Sequence, residues 1–416
     1  KAIPDYLFAG ATALETIVIP DTVTSIGDGA FSECSALKNV TIPDSVTSID
    51  YDAFNECTSL ETIIIPDSVT EVGTHAFYGC KNLSSVTLSK GLVNLQRRAF
   101  GECTKLTSIT IPKSLEKCDG SVSGNGPFYE SGLSEVKFEN GIKAIPDYLF
   151  AGATALETIV IPNTVTSIGS YSFSECSALK NVTIPNSVTN IKNGAFNECI
   201  SLETITLPES IKTLGDYAFD GCTLLSAIKF PSLLTEIGRR MCNGCTSLVT
   251  VEMGDKVTSI GDNAFQNCAS LKNITLSPET EYINSNAFSN CDSLESIVIP
   301  DKVTVIYSNA FSDCDKLSSV TLSKALERIG ESAFNNCDSL TAIKIPDSVE
   351  TIGYRAFYGC EKLADVNMGN GVSKLYSEAF RLCPALTKIV LSNNLTSIPE
   401  YAFADCTKLT DVSRSD

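Results

Sequence analysis

The chain has 416 residues, of which 43% are hydrophobic, and its 49 acidic against 31 basic residues give a net charge of −18. Such an acidic chain repels phosphate, which argues against nucleic acid and anionic membrane surfaces as partners. No apolar run approaches the ~20 residues that a bilayer crossing needs, so no membrane insertion is expected in this segment.

One repeat is copied along the sequence. A phenylalanine recurs every 23 residues, and eighteen copies share one register. The spacing departs from 23 only around Phe128, where gaps of 28 and 22 residues precede and follow, and Cys242 once replaces the phenylalanine. One such unit cannot bury its own apolar face, whereas a stack of copies can. We therefore predict a single domain over 1–416, with an insertion loop at 119–127.

The copy Ala30–Ile49 illustrates the elements expected in each repeat. The letters A-F-x-x-C-x-x-L that begin at Ala30 space their apolar residues as on one face of a short helix. The alternating V-T-I at Val40–Ile42 predicts a short strand, which Pro43 ends. Stacked copies place their strands in a parallel sheet with right-handed connections. The wider helical arm opposite would make the strand side concave.

The consensus L-x-x-I-x-I-P-x-x-V-x-x-I-x-x-x-A-F-x-x-C-x-x-L resembles the BspA-like, or Treponema pallidum-type, leucine-rich repeats along essentially the whole chain. This resemblance implies an α/β fold: a right-handed leucine-rich-repeat solenoid of about eighteen 23-residue repeats. Its parallel sheet would lie on the concave side and short helical turns on the convex side. Proteins of this family are typically secreted or surface-anchored in host-associated bacteria and some protozoa, and members are implicated in adhesion.

The seventeen cysteines occupy fixed positions of the same 23-residue repeat. Fifteen lie three residues after the phenylalanine column, where the other copies carry Ala11, Ser131 and Ala153. These replacements indicate a small buried side chain rather than a metal ligand or a nucleophile. Cys242 and Cys245 form the one C-x-x-C, a spacing typical of redox dithiols and half zinc sites. Because each belongs to a repeat column, we favour a structural role, and we predict buried thiols outside disulfides.

No catalytic constellation stands out. The single histidine, His75, argues against Ser-His-Asp and Cys-His arrangements and occupies a variable position that we expect to face solvent. Carboxylates after the strand prolines form a periodic column, which favours turns over glycosidase chemistry. A calcium loop from Asp119, Ser121 and Asn125 is an alternative to a looped-out insertion, which we favour. We predict a chain that is not an enzyme and has no catalytic residues, cofactor or metal.

Two surfaces are candidates for binding a partner. One is the outward strand column, for which plain β propensity is the competing explanation. The other is a fringe of tyrosines beside the phenylalanine column, which could merely cover the helical arm although tyrosine is favoured at interfaces. We choose the strand column, because a curved rigid sheet can wrap a partner. The candidate partner-binding residues are Thr183, Thr206, Lys229, Tyr148, Tyr171 and Tyr217.

We predict a non-catalytic, extracellular protein-binding module, secreted or anchored at the cell surface. It would attach like an adhesin to host matrix or cell-surface proteins. The alternative is a passive spacer that presents another domain of a longer surface protein. Both ends are ordinary repeats without a polar cap, so we expect a longer natural protein with a signal peptide upstream and an anchor downstream.

Overall fold

The structure is a computed structural model that describes residues 1–121 and 125–414. Each repeat forms one coil that contains short strands joined by turns. These coils fall into two compact units, Lys1–Ala218 and a second one that begins at Phe219. The single domain over 1–416 stays a prediction. Of the insertion loop predicted at 119–127, residues 122–124 lie outside the described residues.

The first strand of a coil is the predicted V-T-I strand. Neighbouring copies pair in parallel and in register; Thr158 lies opposite Asn181, and Val160 lies opposite Thr183. The predicted parallel pairing is therefore confirmed within each unit. The first strands are Thr16–Val18, Asn39–Thr41, Thr62–Ile64, Ser85–Thr87, Ser108–Ile111, Glu135–Phe138, Thr158–Val160, Asn181–Thr183, Ala227–Lys229, Thr250–Glu252, Asn273–Ile274, Ser296–Val298, Ser319–Thr321, Ala342–Lys344, Asp365–Asn367, Lys388–Leu391 and Asp411–Arg414.

A second strand in each coil was not predicted. It ends at the apolar residue eighteen positions after the phenylalanine, as Ile26 does, and it also pairs in parallel with its copies. Two residues are too few to show alternation in a sequence. The second strands are Ala2–Ile3, Ser25–Ile26, Ser48–Ile49, Glu71–Val72, Asn94–Leu95, Lys117–Cys118, Ala144–Ile145, Ser167–Ile168, Asn190–Ile191, Thr213–Leu214, Glu236–Ile237, Ser259–Ile260, Tyr282–Ile283, Val305–Ile306, Arg328–Ile329, Thr351–Ile352 and Lys374–Leu375.

The predicted short helical turns are wrong, because the described residues contain no helix. The segment around each phenylalanine is instead a succession of turns, which we call the turn arm. Gly29 and Glu33, two residues before and after Phe31, have φ angles of 55° and 60°, and the same two positions are left-handed in nearly every coil. A left-handed residue reverses the local twist of the backbone, so a right-handed helix cannot continue through it.

Backbone hydrogen bonds of the turn arm run from coil to coil. The N–H of Phe31 donates to the carbonyl of Ala53 at 2.8 Å, and the N–H of Glu33 donates to that of Asn55 at 2.7 Å. Both bonds point to the following coil, and the pattern recurs along each unit. These bonds satisfy backbone groups that a helix would otherwise have paired internally.

The core is organised around the phenylalanine column. The rings of Phe54 and Phe77 are fully buried, with centroids 5.1 Å apart and planes inclined by 5°. In the second unit, Phe334 and Phe357 stack in the same way at 5.3 Å and 7°. The separation is close to the ~4.8 Å spacing of paired strands, so ring stacking and strand pairing are compatible in one coil.

Cys242 interrupts this stack in the second unit. Cys242 and the adjacent Met241 are both fully buried. The ring of Phe230, just after a first strand, lies edge-on to Phe265 with centroids 6.3 Å apart. Its counterpart in another coil is Ile42, a smaller side chain. We infer that Phe230 and Met241 together fill the volume that the missing phenylalanine would have occupied.

We expect Cys242→Phe alone to destabilise the protein by about 1–3 kcal/mol, because it overpacks a site that Phe230 already fills. Adding Phe230→Ile should restore stability close to that of the wild type. Urea unfolding of the two variants measures this coupling. Full stability of the single variant would show that Phe230 does not occupy the vacated volume.

Candidate binding surface

The outward residues of the first strands form what we call the strand face. Alternation along each strand buries the central residue and exposes its neighbours, as in Asn39–Thr41. Several outward positions carry large aliphatic side chains. Val18, Ile64, Val160 and Val298 are exposed by 89%, 68%, 69% and 64%, more than the other exposed large hydrophobic residues of the described chain.

The structure places the three strand candidates at outward positions. Thr183 ends a first strand and is exposed. Thr206 is exposed in the first unit but lies outside a regular strand. Lys229 belongs to the second unit, and its Nζ lies 3.7 Å from a carboxylate oxygen of Glu252. These residues share a position in the coil, and their binding role stays a prediction.

The three tyrosine candidates lie in the first unit at the left-handed position before the phenylalanine. The φ angles of Tyr148, Tyr171 and Tyr217 are 60°, 52° and 61°. All three are half-buried. The rings of Tyr148 and Tyr171 stack at 5.6 Å with planes inclined by 5°, so these phenols cover one another. The three tyrosine candidates therefore present less free surface than Thr183 and Thr206, which are exposed.

Shallow grooves recur on the strand face, between the outward column and the corner that follows each strand. One of about 300 Å³ is lined by Ile64 and Pro66, and one of about 520 Å³ is lined by Val298 and Pro300. A groove of about 400 Å³ on the tyrosine side is lined by Tyr354, among others. Regular depressions beside exposed aliphatic groups suit side chains of a bound protein.

Cysteine thiols serve as hydrogen-bond donors inside the coils. The Sγ of Cys57 donates to the carbonyl of Phe31 in the preceding coil at 3.1 Å, and Cys314 does the same to Phe288 at 3.2 Å. All seventeen cysteines are thiols, and all except Cys406 are buried, which confirms the predicted burial. The sequence pattern showed the small size that this column requires but missed its donor role.

In the coil where serine replaces cysteine, the side chain also donates a hydrogen bond to a phenylalanine carbonyl. The hydroxyl of Ser131 donates to the carbonyl of Phe128 in its own coil at 2.8 Å. The next coil carries Ala153 at this place, which has no side-chain donor. The thiol is a second donor to these carbonyls, because the carbonyl of Phe31 also accepts from the backbone N–H of Cys34 at 3.2 Å.

The family assignment rests on the repeat itself. The model of the BspA type leucine rich repeat region (six copies) matches residues 1–126, 121–248, 189–318, 235–353 and 327–416. The chain belongs to this family. No curated protein matches the chain.

Among solved structures, the BspA-type chain is similar to a leucine-rich repeat protein from Bacteroides ovatus. The two are 28% identical with a TM-score of 0.68, over 96% of this chain and 92% of the other. A leucine rich cell surface protein from Faecalibacterium prausnitzii is 24% identical over 97% and 88% of the chains, with a TM-score of 0.35. The Treponema pallidum leucine rich repeat protein is 22% identical over 62% and 78%, with a TM-score of 0.23.

His75 of the BspA-type chain does not face solvent as predicted. Its ring is half-buried between Tyr51 and Tyr78, at centroid distances of 5.9 and 5.2 Å. Its Nδ1 lies 3.5 Å from a carboxylate oxygen of Asp52. Burial lowers the pKa of His75, and the nearby Asp52 carboxylate opposes this shift. The sequence position of His75 does not reveal these contacts, because Tyr51 belongs to the preceding coil and Tyr78 follows three residues later.

The calcium loop considered at Asp119, Ser121 and Asn125 is contradicted by its hydrogen bonds. The side-chain oxygen of Asn125 accepts from the guanidinium of Arg98, and its amide nitrogen donates to Ser121 at 2.8 Å. A cationic group therefore occupies the oxygen that calcium would need. Over residues 1–121 and 125–414, no group of three His, Cys, Asp or Glu side chains could hold a metal ion.

The carboxylate column after the strand prolines stabilises corners, in agreement with its predicted turn role. A carboxylate oxygen of Asp67 accepts from the backbone N–H of Lys90 at 2.9 Å. Asp347 accepts from the N–H of Asn370 at 2.8 Å.

The part of the chain that the structure describes contains no helix of the length and apolar character needed for a membrane crossing.

Thiol titration should find few reactive groups in the native BspA-type chain and nearly all seventeen after denaturation without reductant. Burial keeps the native thiols protonated and out of reach of the reagent. A native titre close to the denatured one would contradict the buried column, and several missing thiols after denaturation would reveal disulfides.

Stability should fall as the pH rises above about 9. Burial raises the pKa of Cys80, Cys291 and Cys337 well above the ordinary value of 9.0. The unfolded chain then releases thiol protons that the native chain keeps, so the free energy of unfolding decreases with pH. Urea unfolding midpoints measured on both sides of that value test this, with Cys314→Ala expected to make the decline shallower. A flat profile would contradict it.

Proposed function

We propose that this chain is a non-catalytic, extracellular protein-binding module that attaches to host matrix or cell-surface proteins through its strand face. One observation carries the proposal: the most exposed aliphatic side chains of the described residues share this face, as Val160 and Val298 do. A large apolar side chain that recurs at the same outward position of several coils offers apolar contacts to a protein partner. The family resemblance supports the extracellular setting and the adhesive role.

The coil architecture supports binding that is spread over many repeats. Most outward residues lie on paired strands, so little backbone conformational entropy is lost when a partner binds. The grooves beside Ile64 and Val298 have the same place in their coils. Repeated weak contacts of this kind raise the overall affinity through multivalency without one deep pocket.

A passive spacer is the second candidate function. Lys1–Ile49 and Lys143–Ile191 are identical at 43 of 49 positions. Near-identity between distant blocks favours structural tiling over a binding site that was built once. In a spacer, the strand face would have no partner, and the chain would hold another domain away from the cell.

Binding to a panel of immobilised mammalian matrix proteins distinguishes the two faces and the spacer. We expect the strand-face variant to bind at least about tenfold more weakly, because it replaces two threonines and a lysine with three carboxylates on the proposed contact face, and the tyrosine variant to bind like the wild type. The strand-face variant carries Thr183→Glu, Thr206→Glu and Lys229→Glu; the tyrosine variant carries Tyr148→Ser, Tyr171→Ser and Tyr217→Ser.

Both sets of changes use residues that other coils already tolerate. Glu252 occupies the outward strand position, and Ser332 occupies the left-handed position with a φ angle of 51°. Equal thermal unfolding of both variants is the control for folding. Loss of binding only in the tyrosine variant would overturn the choice of face, and a wild type that binds no protein of the panel would favour the spacer.

A further inference from the structure

One groove on the strand face differs from the others in its charge. It has a volume of about 680 Å³, lies in the second unit, and is lined by Lys324, Lys344, Asp347, Asn367 and Asn370, among others. Neither lysine Nζ forms an ion pair with any described carboxylate. Both ammonium groups line one groove on a chain whose net charge is −18, and the one carboxylate among the residues that line this groove, that of Asp347, accepts from the backbone N–H of Asn370.

Lysines elsewhere in the same outward column are neutralised. The Nζ of Lys137 lies 3.0 Å from Glu135, and that of Lys229 lies 3.7 Å from Glu252. Lys344 occupies the equivalent place in its coil, but the residue opposite it in the next coil is Asn367. The positive charge of Lys344 therefore remains available to a ligand.

The corner position shows the same contrast. The Nζ of Lys90 lies 3.8 Å from a carboxylate oxygen of Asp67 in the preceding coil. Lys324 is the equivalent residue in its own coil, and Asp301 accepts a hydrogen bond from the backbone N–H of Lys324 at 3.4 Å. The ammonium group of Lys324 has no such pairing, and it lines the groove together with Lys344.

The far wall of the groove is formed by Asp347 and Asn370, among others. The side-chain oxygen of Asn370 is buried without a hydrogen-bond partner, while its backbone N–H donates to Asp347. Two glycines bring this corner close to the preceding coil: Gly369 has a φ of 61°, and a Cβ on Gly371 would lie 1.9 Å from the Asp347 carbonyl oxygen.

We propose that this groove binds an acidic peptide segment. A side-chain carboxylate of the segment lies between Lys324 and Lys344 and accepts hydrogen bonds from their ammonium groups. The inference rests on the proposed function, because it names the chemistry of a protein partner at one place on the strand face. Carboxylates form strong charge-assisted hydrogen bonds with ammonium groups.

Two fluorescein-labelled hexapeptides test the proposal with the full chain at low ionic strength, where charge pairs are least screened. One alternates glutamate with glycine, and the other alternates glutamine with glycine. By fluorescence anisotropy, the glutamate peptide should bind at least about tenfold more tightly than the glutamine peptide. Lys324→Gln and Lys344→Gln should each weaken it by roughly tenfold, which is the loss expected for one charge-assisted bond.

Lys137→Gln is the matched control, because it removes a lysine from the same column that already has Glu135 as its partner. This variant should bind the glutamate peptide like the wild type. The proposal is overturned if the two peptides bind alike, if neither binds, or if the control variant loses as much affinity as Lys344→Gln. Binding of trigalacturonate without binding of the glutamate peptide would assign the groove to an acidic sugar instead.

The assay contains no matrix protein, so its outcome is separate from that of the strand-face variant. The groove proposal fails alone if the wild type does not bind the glutamate peptide although it binds matrix proteins and the strand-face variant loses that binding. The proposed function fails alone if the peptide binds as expected and no matrix protein does.

Discussion

The hydrogen bonds between successive turn arms are the constraint on which the rest of the structure depends. The donors are the N–H groups of each phenylalanine and of the left-handed residues two places before and after it, such as Gly29 and Glu33, and all of them point along the stack. These bonds hold adjacent coils at a separation at which phenylalanine rings stack and short strands pair. Because every residue then lies beside its counterpart 23 positions away, a repeated letter in the sequence becomes a line of identical groups on the surface.

The strands and the buried columns were predictable because alternation and a fixed period report burial directly. The turn arm was not, because the apolar spacing of A-F-x-x-C-x-x-L fits a helical face and a chain of tight turns equally well. A signal was present in the flanking columns, where Asn263, Asn286 and Asn309 share one position and glycines recur. Asparagine and glycine at a fixed place indicate left-handed backbone, which is incompatible with a continuous helix.

The strand face was predictable in position, but its electrostatic detail requires the pairing register as well. Lys229 and Lys344 look equivalent in the sequence, since both end an outward strand. Their environments differ because the register places Glu252 beside the first and Asn367 beside the second. Only a knowledge of which residues become neighbours across coils separates a neutralised lysine from one that is open to a ligand. The half-buried tyrosines illustrate the same point, because their mutual stacking depends on the next coil.

The common direction of the turn-arm bonds also bears on how genes of this kind change length. Within a unit, each arm accepts from the coil before it and donates to the coil after it, so a whole repeat gained by recombination meets a suitable donor on one side and a suitable acceptor on the other. The block Lys143–Ile191, which reproduces Lys1–Ile49 almost letter for letter, has the character of such an event. Unequal crossing-over between near-identical repeats would therefore change the number of coils while preserving the backbone hydrogen bonds between neighbouring turn arms.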